Sequence, residues 1–180
     1  MSTLRIEPAT ESDVPTLLGL IKALADYERL ADAVVATEDA VRTTLFGSAP
    51  QAEAVVGRVG DDAVGFALWF HSYSTFLGRR GLYLEDLFVK PEWRGRGFGR
   101  ALFVHLARVA VARGCGRMEW SVLNWNAPAI GFYKSLGAQP MDEWTVFRLT
   151  GDTLTRLGKP SREVRAPRPP PARRRRGRRP

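Results

Sequence analysis

One cysteine, two histidines and no long apolar run set the first limits on this 180-residue chain. Cys115 alone cannot form an intramolecular disulfide, and zinc sites built on cysteine pairs need more thiols than are present. No apolar run approaches the roughly 20 residues needed to cross a bilayer. The opening MSTLRIEPATESD lacks a cationic start followed by an apolar stretch, so no secretory signal is expected. With 44% hydrophobic and 26% charged residues, the composition is not that of a disordered chain. These absences lead to the expectation of a soluble, cytoplasmic protein with no membrane partner.

What is present is unevenly spread. The net charge is +8, from 27 Lys+Arg against 19 Asp+Glu. From Gly158 to Pro180 there are ten cations, one anion (Glu163) and half of the twelve prolines. Residues 1–157 are therefore close to neutral and slightly acidic, one domain's worth of chain with enough length for a real core. Residues 158–180 read as a disordered, Pro- and Arg-rich tail. Any nucleic-acid contact is expected only through that tail, whose Arg173–Arg176 run could neutralise phosphates but has no aromatic residue to stack on bases.

Periodicity divides the body into alternating elements. Leu4, Ile6 and Pro8 mark a short strand, and Thr10 with Asp13 forms a capping box before Val14, Leu17, Leu18, Ile21 and Leu24 at helical spacing. Thr37 caps a second helix through Phe46. Strands are expected at 52–59, 64–73 and 82–89, the last stopped at Lys90-Pro91. A helix carrying Phe98, Leu102, Leu106 and Val109 on one face follows, then a strand over 117–123. Asn126 caps a further helix that stops at Gly137, and a last strand is expected over Trp144–Leu149. This is an α/β domain with a mixed sheet.

The most specific stretch is the glycine loop between strand and helix, Arg94-Gly95-Arg96-Gly97-Phe98-Gly99-Arg100. Glycines let backbone approach a ligand closely, and a helix start offers unpaired N–H groups to an anion. Arg94, Arg96 and Arg100 add charge suited to phosphate oxygens. The physical reading is a pyrophosphate cradle; the plain alternative is a mobile turn with a solvated basic face. A dinucleotide fingerprint fails because Arg100 stands where the third glycine should be, and no GxxxxGK[ST] loop exists.

The spacing of Arg94, Gly97 and Gly99 resembles the R/Q-x-x-G-x-G/A signature of the GNAT N-acetyltransferases. Tyr83-Leu84-Glu85-Asp86-Leu87-Phe88-Val89, Trp125-Asn126 with Pro128, Phe132-Tyr133-Lys134, Leu136-Gly137-Ala138 and Asp26-Tyr27-Glu28 are similar to the spermidine/spermine and thialysine acetyltransferase branch. The similarity covers about residues 4–149 in family order. It implies the GNAT fold, a mixed and mostly antiparallel sheet with helices on both faces. It also implies acetyl-CoA as co-substrate, no metal, a small-molecule amine as acceptor and a homodimer.

Acetyl transfer needs a free amine, a stabilised oxyanion and a proton for the departing thiolate. An alkylammonium with a pKa near about 10.4 is almost wholly charged at neutral pH, so a proton acceptor helps. Glu85, in an otherwise apolar strand, is the candidate base; Asp86 points to the opposite face if the strand is regular. A structural ion pair is the competing reading for both. Spacing among Ile130, Phe132 and Leu136 favours core packing for Tyr133, and the resemblance instead makes it the general acid. By the same resemblance Leu87, Phe88, Val89, Gly95, Phe98 and Asn126 join the loop in holding acetyl-CoA, with a strand N–H as oxyanion donor. Tyr27, Glu28, Glu85 and Asp86 would receive the amine. His71, His105 and Cys115 carry no nucleophile motif.

Within the branch, Ser74 and Phe76 stand where polyamine enzymes have an acidic residue and a tryptophan, so Tyr73-Ser74-Thr75 favours a lysine-like amine over spermidine. The rival is a non-catalytic acyl-CoA-binding or nucleic-acid-associated protein using its tail; intact Glu85 and Tyr133 argue against it.

Overall fold

The computed structural model describes residues 3–159, so most of the expected tail lies outside the described residues. Two compact units divide the chain, one ending at Ile130 and the next beginning at Gly131. The first holds β1 (Arg5–Pro8), α1 (Val14–Glu28), α2 (Glu38–Phe46), β2 (Glu53–Val59), β3 (Asp62–Ser74), β4 (Arg79–Val89), α3 (Phe98–Ala112) and β5 (Met118–Glu119). Helix α4 (Ala127–Ser135) crosses the division, and α5 (Gly151–Leu157) lies in the second unit.

The strands form one sheet in the order β1-β2-β3-β4-β5. The first four run antiparallel and β5 pairs parallel to β4. The apolar periodicity explains how the helices attach. Leu17 and Leu20 of α1 and Leu45 of α2 pack on Val56, Phe66 and Phe88 on one sheet face. Leu102, Leu106 and Ala110 of α3 pack on Val55, Trp69 and Leu84 on the other. The layers are those of the expected mixed α/β fold. Strands β3 and β4 come so close that a Cβ on Gly65 would lie 2.4 Å from the Phe88 carbonyl oxygen. Among the described residues no helix is long and apolar enough to cross a membrane.

Two expectations for the C-terminal part need correction. The strand expected over 117–123 shrinks to Met118–Glu119. Residues 144–149 form no strand: Trp144, Val146, Phe147 and Leu149 are 68, 81, 91 and 53% exposed. The segment has strand composition, but no ladder partner among the described residues satisfies its backbone, and alternation alone cannot make a strand. Helix α5 was not anticipated from the sequence.

The entry to α1 is held by charge. The Thr10 backbone N–H donates to Asp13 Oδ2 at 2.9 Å and the Thr10 hydroxyl to the same oxygen at 2.8 Å. Arg58 of β2 pairs with Asp13, and with Glu7 at 3.6 Å, tying the helix start to the sheet. Burial acts to raise the Asp13 pKa, but the bonds from Thr10 and the Arg58 charge outweigh it and hold the carboxyl below its ordinary value. A depressed carboxylate contributes stability above its unfolded pKa and loses it as pH falls through the folded pKa. Asp13→Asn is therefore expected to cost about 1–3 kcal/mol in urea unfolding at pH 7. The difference should shrink on acidification; equal stability of the two proteins at pH 7 would contradict this role.

Candidate active site

The glycine loop follows β4 and a short turn at Pro91–Trp93, and leads directly into α3. Gly95 and Gly97 have φ of 73° and 80°, a region that side chains resist. A Cβ on either would meet nothing within 4 Å, and one on Gly99 only the Val89 side chain at 4.0 Å. The loop thus presents an open backbone face. Gly97 is the N-cap of α3 and no side chain caps the helix, so its first-turn N–H groups are available to an anion. These residues fit the pyrophosphate of a CoA-type ligand.

The arginines of the loop are placed differently from one another. Arg96 lies over the Trp93 ring at 4.8 Å and reaches the Glu92 carbonyl at 3.4 Å. Arg94 donates from Nε to the Val89 carbonyl at 2.9 Å, with its guanidinium 4.1 Å from the Tyr27 ring centre and 5.6 Å from that of Phe88. Arg100, one turn into the helix, is exposed.

Strand β5 pairs with β4 only at Leu82 and Tyr83. Beyond Tyr83 the same edge of β4, with Leu87, Phe88 and Val89, has no strand beside it among the described residues. Backbone groups along an unpaired edge are free to meet a ligand.

The carboxylates are set by an irregularity. The β3–β4 register runs from Leu68 opposite Asp86 to Trp69 opposite Leu84, leaving Glu85 as an extra, bulged residue. The strand is not regular here, so simple alternation does not place its side chains. Leu84, Leu87 and Val89 belong to the α3 side of the sheet and Phe88 to the α1–α2 side. Asp86 lies directly across from Leu68, which packs with the α1–α2 cluster, and so joins Phe88 on that face. Glu85 is exposed and Asp86 half-buried. Among the described residues no hydrogen bond or ion pair neutralises Asp86. Burial, then the charges of Glu85 and Glu28, push its pKa up to about 6. Burial alone raises that of Glu28. The reading of Glu85 and Asp86 as a structural ion pair loses its basis, since neither has a cation partner among the described residues.

Tyr27 connects these parts. Its hydroxyl donates to Asn126 Oδ1 at 3.3 Å, and its ring lies 6.0 Å from that of Trp125. Asn126, only 6% exposed, accepts the Ala129 N–H at 3.3 Å with the same oxygen, so it caps α4 as expected and also holds Tyr27. Tyr133 lies farther along α4, in the second unit, with its ring 5.2 Å from Phe132. The sequence signalled each of these residues separately but not the Arg94–Tyr27 stack, which joins positions far apart in the chain. The bulge at Glu85 also left no mark in the residue pattern. His71 belongs elsewhere: burial, then Arg113, lower its pKa beside the Glu53–Arg113 pair.

With this geometry in place, comparison with known proteins is direct. The profile of the Acetyltransferase (GNAT) family matches residues 20–138. A thialysine N-epsilon-acetyltransferase of Bos taurus is 39% identical over 168 residues, covering 87% of this chain and 98% of the relative. An L-ornithine N5-acetyltransferase of Arabidopsis thaliana is 36% identical, covering 86% and 88%. Among solved structures, an integron cassette protein from the mobile metagenome of V. cholerae superposes with a TM-score of 0.75 at 28% identity, covering 89% of this chain and 99% of its own. An open glycine loop leading into a helix, read together with these matches, identifies the chain as a member of the GNAT family of acetyl-CoA-dependent N-acetyltransferases, in its thialysine and spermidine/spermine branch.

Proposed function

We propose that this enzyme acetylates the terminal amine of a small, lysine-like molecule such as thialysine, with polyamines as poorer acceptors. The observation that carries this reading is the C-terminal half of β4, which sets carboxylates a few residues ahead of an anion-binding loop. Beyond Val89 lies the anion-binding loop, and before it stand Glu85 and Asp86, without a neutralising cation among the described residues. The names of the two relatives support the choice of acceptor, since each denotes an amino acid with a side-chain amine. The absence of an acid at Ser74 points the same way.

In this reading acetyl-CoA supplies an activated acetyl thioester. The N–H groups of Phe98, Gly99 and Arg100, with the Arg96 and Arg100 side chains, hold its phosphates. Backbone along Leu87–Val89 lines the pantetheine arm, and an N–H there faces the thioester oxygen, a type of contact worth about 2.7–4 kcal/mol. Glu28, Glu85 and Asp86 draw the ammonium in, with Tyr27 alongside. Glu85 is the proton acceptor on the solvent side, and Asp86, when ionised, holds the incoming ammonium beside it. The acid that protonates the departing thiolate is Tyr133. No metal is required. The exposed Trp144, Val146, Phe147 and Leu149 fit burial against a second copy in a homodimer. A lone cysteine and use of acetyl-CoA fit a cytoplasmic setting.

Purified full-length protein with acetyl-CoA and a panel of amines should release free CoA thiol. Thialysine, ornithine and lysine should give higher kcat/KM than spermidine, and no turnover with any primary amine would overturn the proposal. Tyr133→Phe should lower kcat by about 100-fold while changing CoA affinity little. An unchanged kcat would remove the acid role.

A further inference from the structure

The glycine loop contains three arginines, and one of them is held on a platform that belongs to another element. The guanidinium of Arg94 sits 4.1 Å from the centre of the Tyr27 ring, on the last turn of α1, and its Nε is tied to the Val89 carbonyl at 2.9 Å. Phe88 lies 5.6 Å away. Tyr27 is itself held in place, through its hydroxyl to Asn126 at 3.3 Å and by its ring near Trp125. The turn ends at Arg29 in a left-handed conformation (φ 61°), with its guanidinium 5.7 Å from the Trp125 ring centre. A non-glycine residue in that region costs energy and persists where the surroundings over-determine it.

The contact has a direction of effect. Arg94 is exposed like Arg100, but it is fixed at Nε and stacked by its face, which restricts its orientation. Arg94 precedes Gly95 and Gly97, the two positions of left-handed backbone that shape the loop. Fixing Arg94 therefore fixes one end of the anion cradle. On the other side of the stack, Tyr27 is followed at once by Glu28, whose charge is felt by Asp86. One cation–π contact thus bridges the loop and the carboxylate group.

We propose that Arg94 is a positioning residue, and that its stack on Tyr27 couples the acetyl-CoA site to the amine site. Tyr27 sets the loop's readiness for CoA through its ring face, in addition to any contact it makes with the amine. By linkage, the factor by which this contact improves CoA binding in the presence of the amine is the factor by which CoA improves amine binding. This rests on the acetyltransferase reading of the site.

Titration calorimetry with CoA alone, no amine present, tests the hold of Tyr27 on the CoA site in the full chain. Tyr27→Leu should weaken CoA binding threefold to tenfold, the range of a partly exposed cation–π contact. Tyr27→Phe keeps the ring face and should retain most of the affinity although its bond to Asn126 is gone. In an Arg94→Ala background, Tyr27→Leu should weaken CoA no further. If Tyr27→Leu does not fold, as judged by its melting transition, the reciprocal reading decides: Arg94→Ala should raise KM for the amine at saturating acetyl-CoA. Unchanged CoA affinity in folded Tyr27→Leu, equal losses in Leu and Phe variants, additive losses, or an unaffected amine KM in Arg94→Ala would each overturn the proposal. Failure of the wild-type protein to bind CoA would instead overturn the acetyltransferase reading itself.

Discussion

The placing of the Asp86 carboxylate depends on one extra residue in strand β4. Because Glu85 bulges out of the ladder with β3, Leu84 and Leu87 both stay on the α3 side while Asp86 turns with Phe88 toward α1 and α2. Without the bulge, Asp86 would face the α3 core and one carboxylate would be buried among leucines, at a cost that no partner offsets. With it, an exposed and a half-buried carboxylate stand side by side near Glu28. Bulges commonly re-aim a side chain next to an active site. Here the re-aimed side chain is the one whose pKa is raised to about 6.

That shift has a thermodynamic consequence. A carboxyl with a raised folded pKa binds its proton more tightly in the native state, so its contribution to stability is most favourable at low pH and declines as pH rises through the folded value. Keeping Asp86 ionised at neutral pH costs on the order of 3 kcal/mol. A neutralising arginine would remove that cost but would also remove the attraction for an ammonium. The loop that follows β4, a few residues beyond Asp86, has the opposite character, with backbone N–H groups and arginines around open glycines. In the proposed reading, the anionic donor and the cationic acceptor of the transfer meet along the C-terminal half of this strand. The basic net charge of the chain says little about either half, because most of it belongs to residues 158–180.

Much of this was legible in the residues. The Thr10–Asp13 box, the apolar stripes of α1 and α3 and the stop at Pro91 gave the elements of the first unit because each has a local cause. The glycine loop was legible for the same reason. Asn126 was recognised as a cap, and its second bond, to Tyr27, was invisible because it depends on tertiary placement. The stack of Arg94 on Tyr27 and the bulge at Glu85 were equally hidden: a bulge changes register without changing composition. Residues 144–149 show the opposite failure, strand-like chemistry without a ladder. Local pattern proposes a strand, and only a partner makes one.

The dependence of kcat/KM on pH, for wild type and Asp86→Asn with the same lysine-like amine, tests the central claim most directly. In the wild-type protein kcat/KM should fall on the acid side with an inflection near 6, where Asp86 takes up a proton. In Asp86→Asn that inflection should vanish, with a loss of about tenfold or more on the neutral plateau. The same inflection in both proteins, at similar activity, would show that the half-buried carboxylate of the bulged strand has no part in handling the amine.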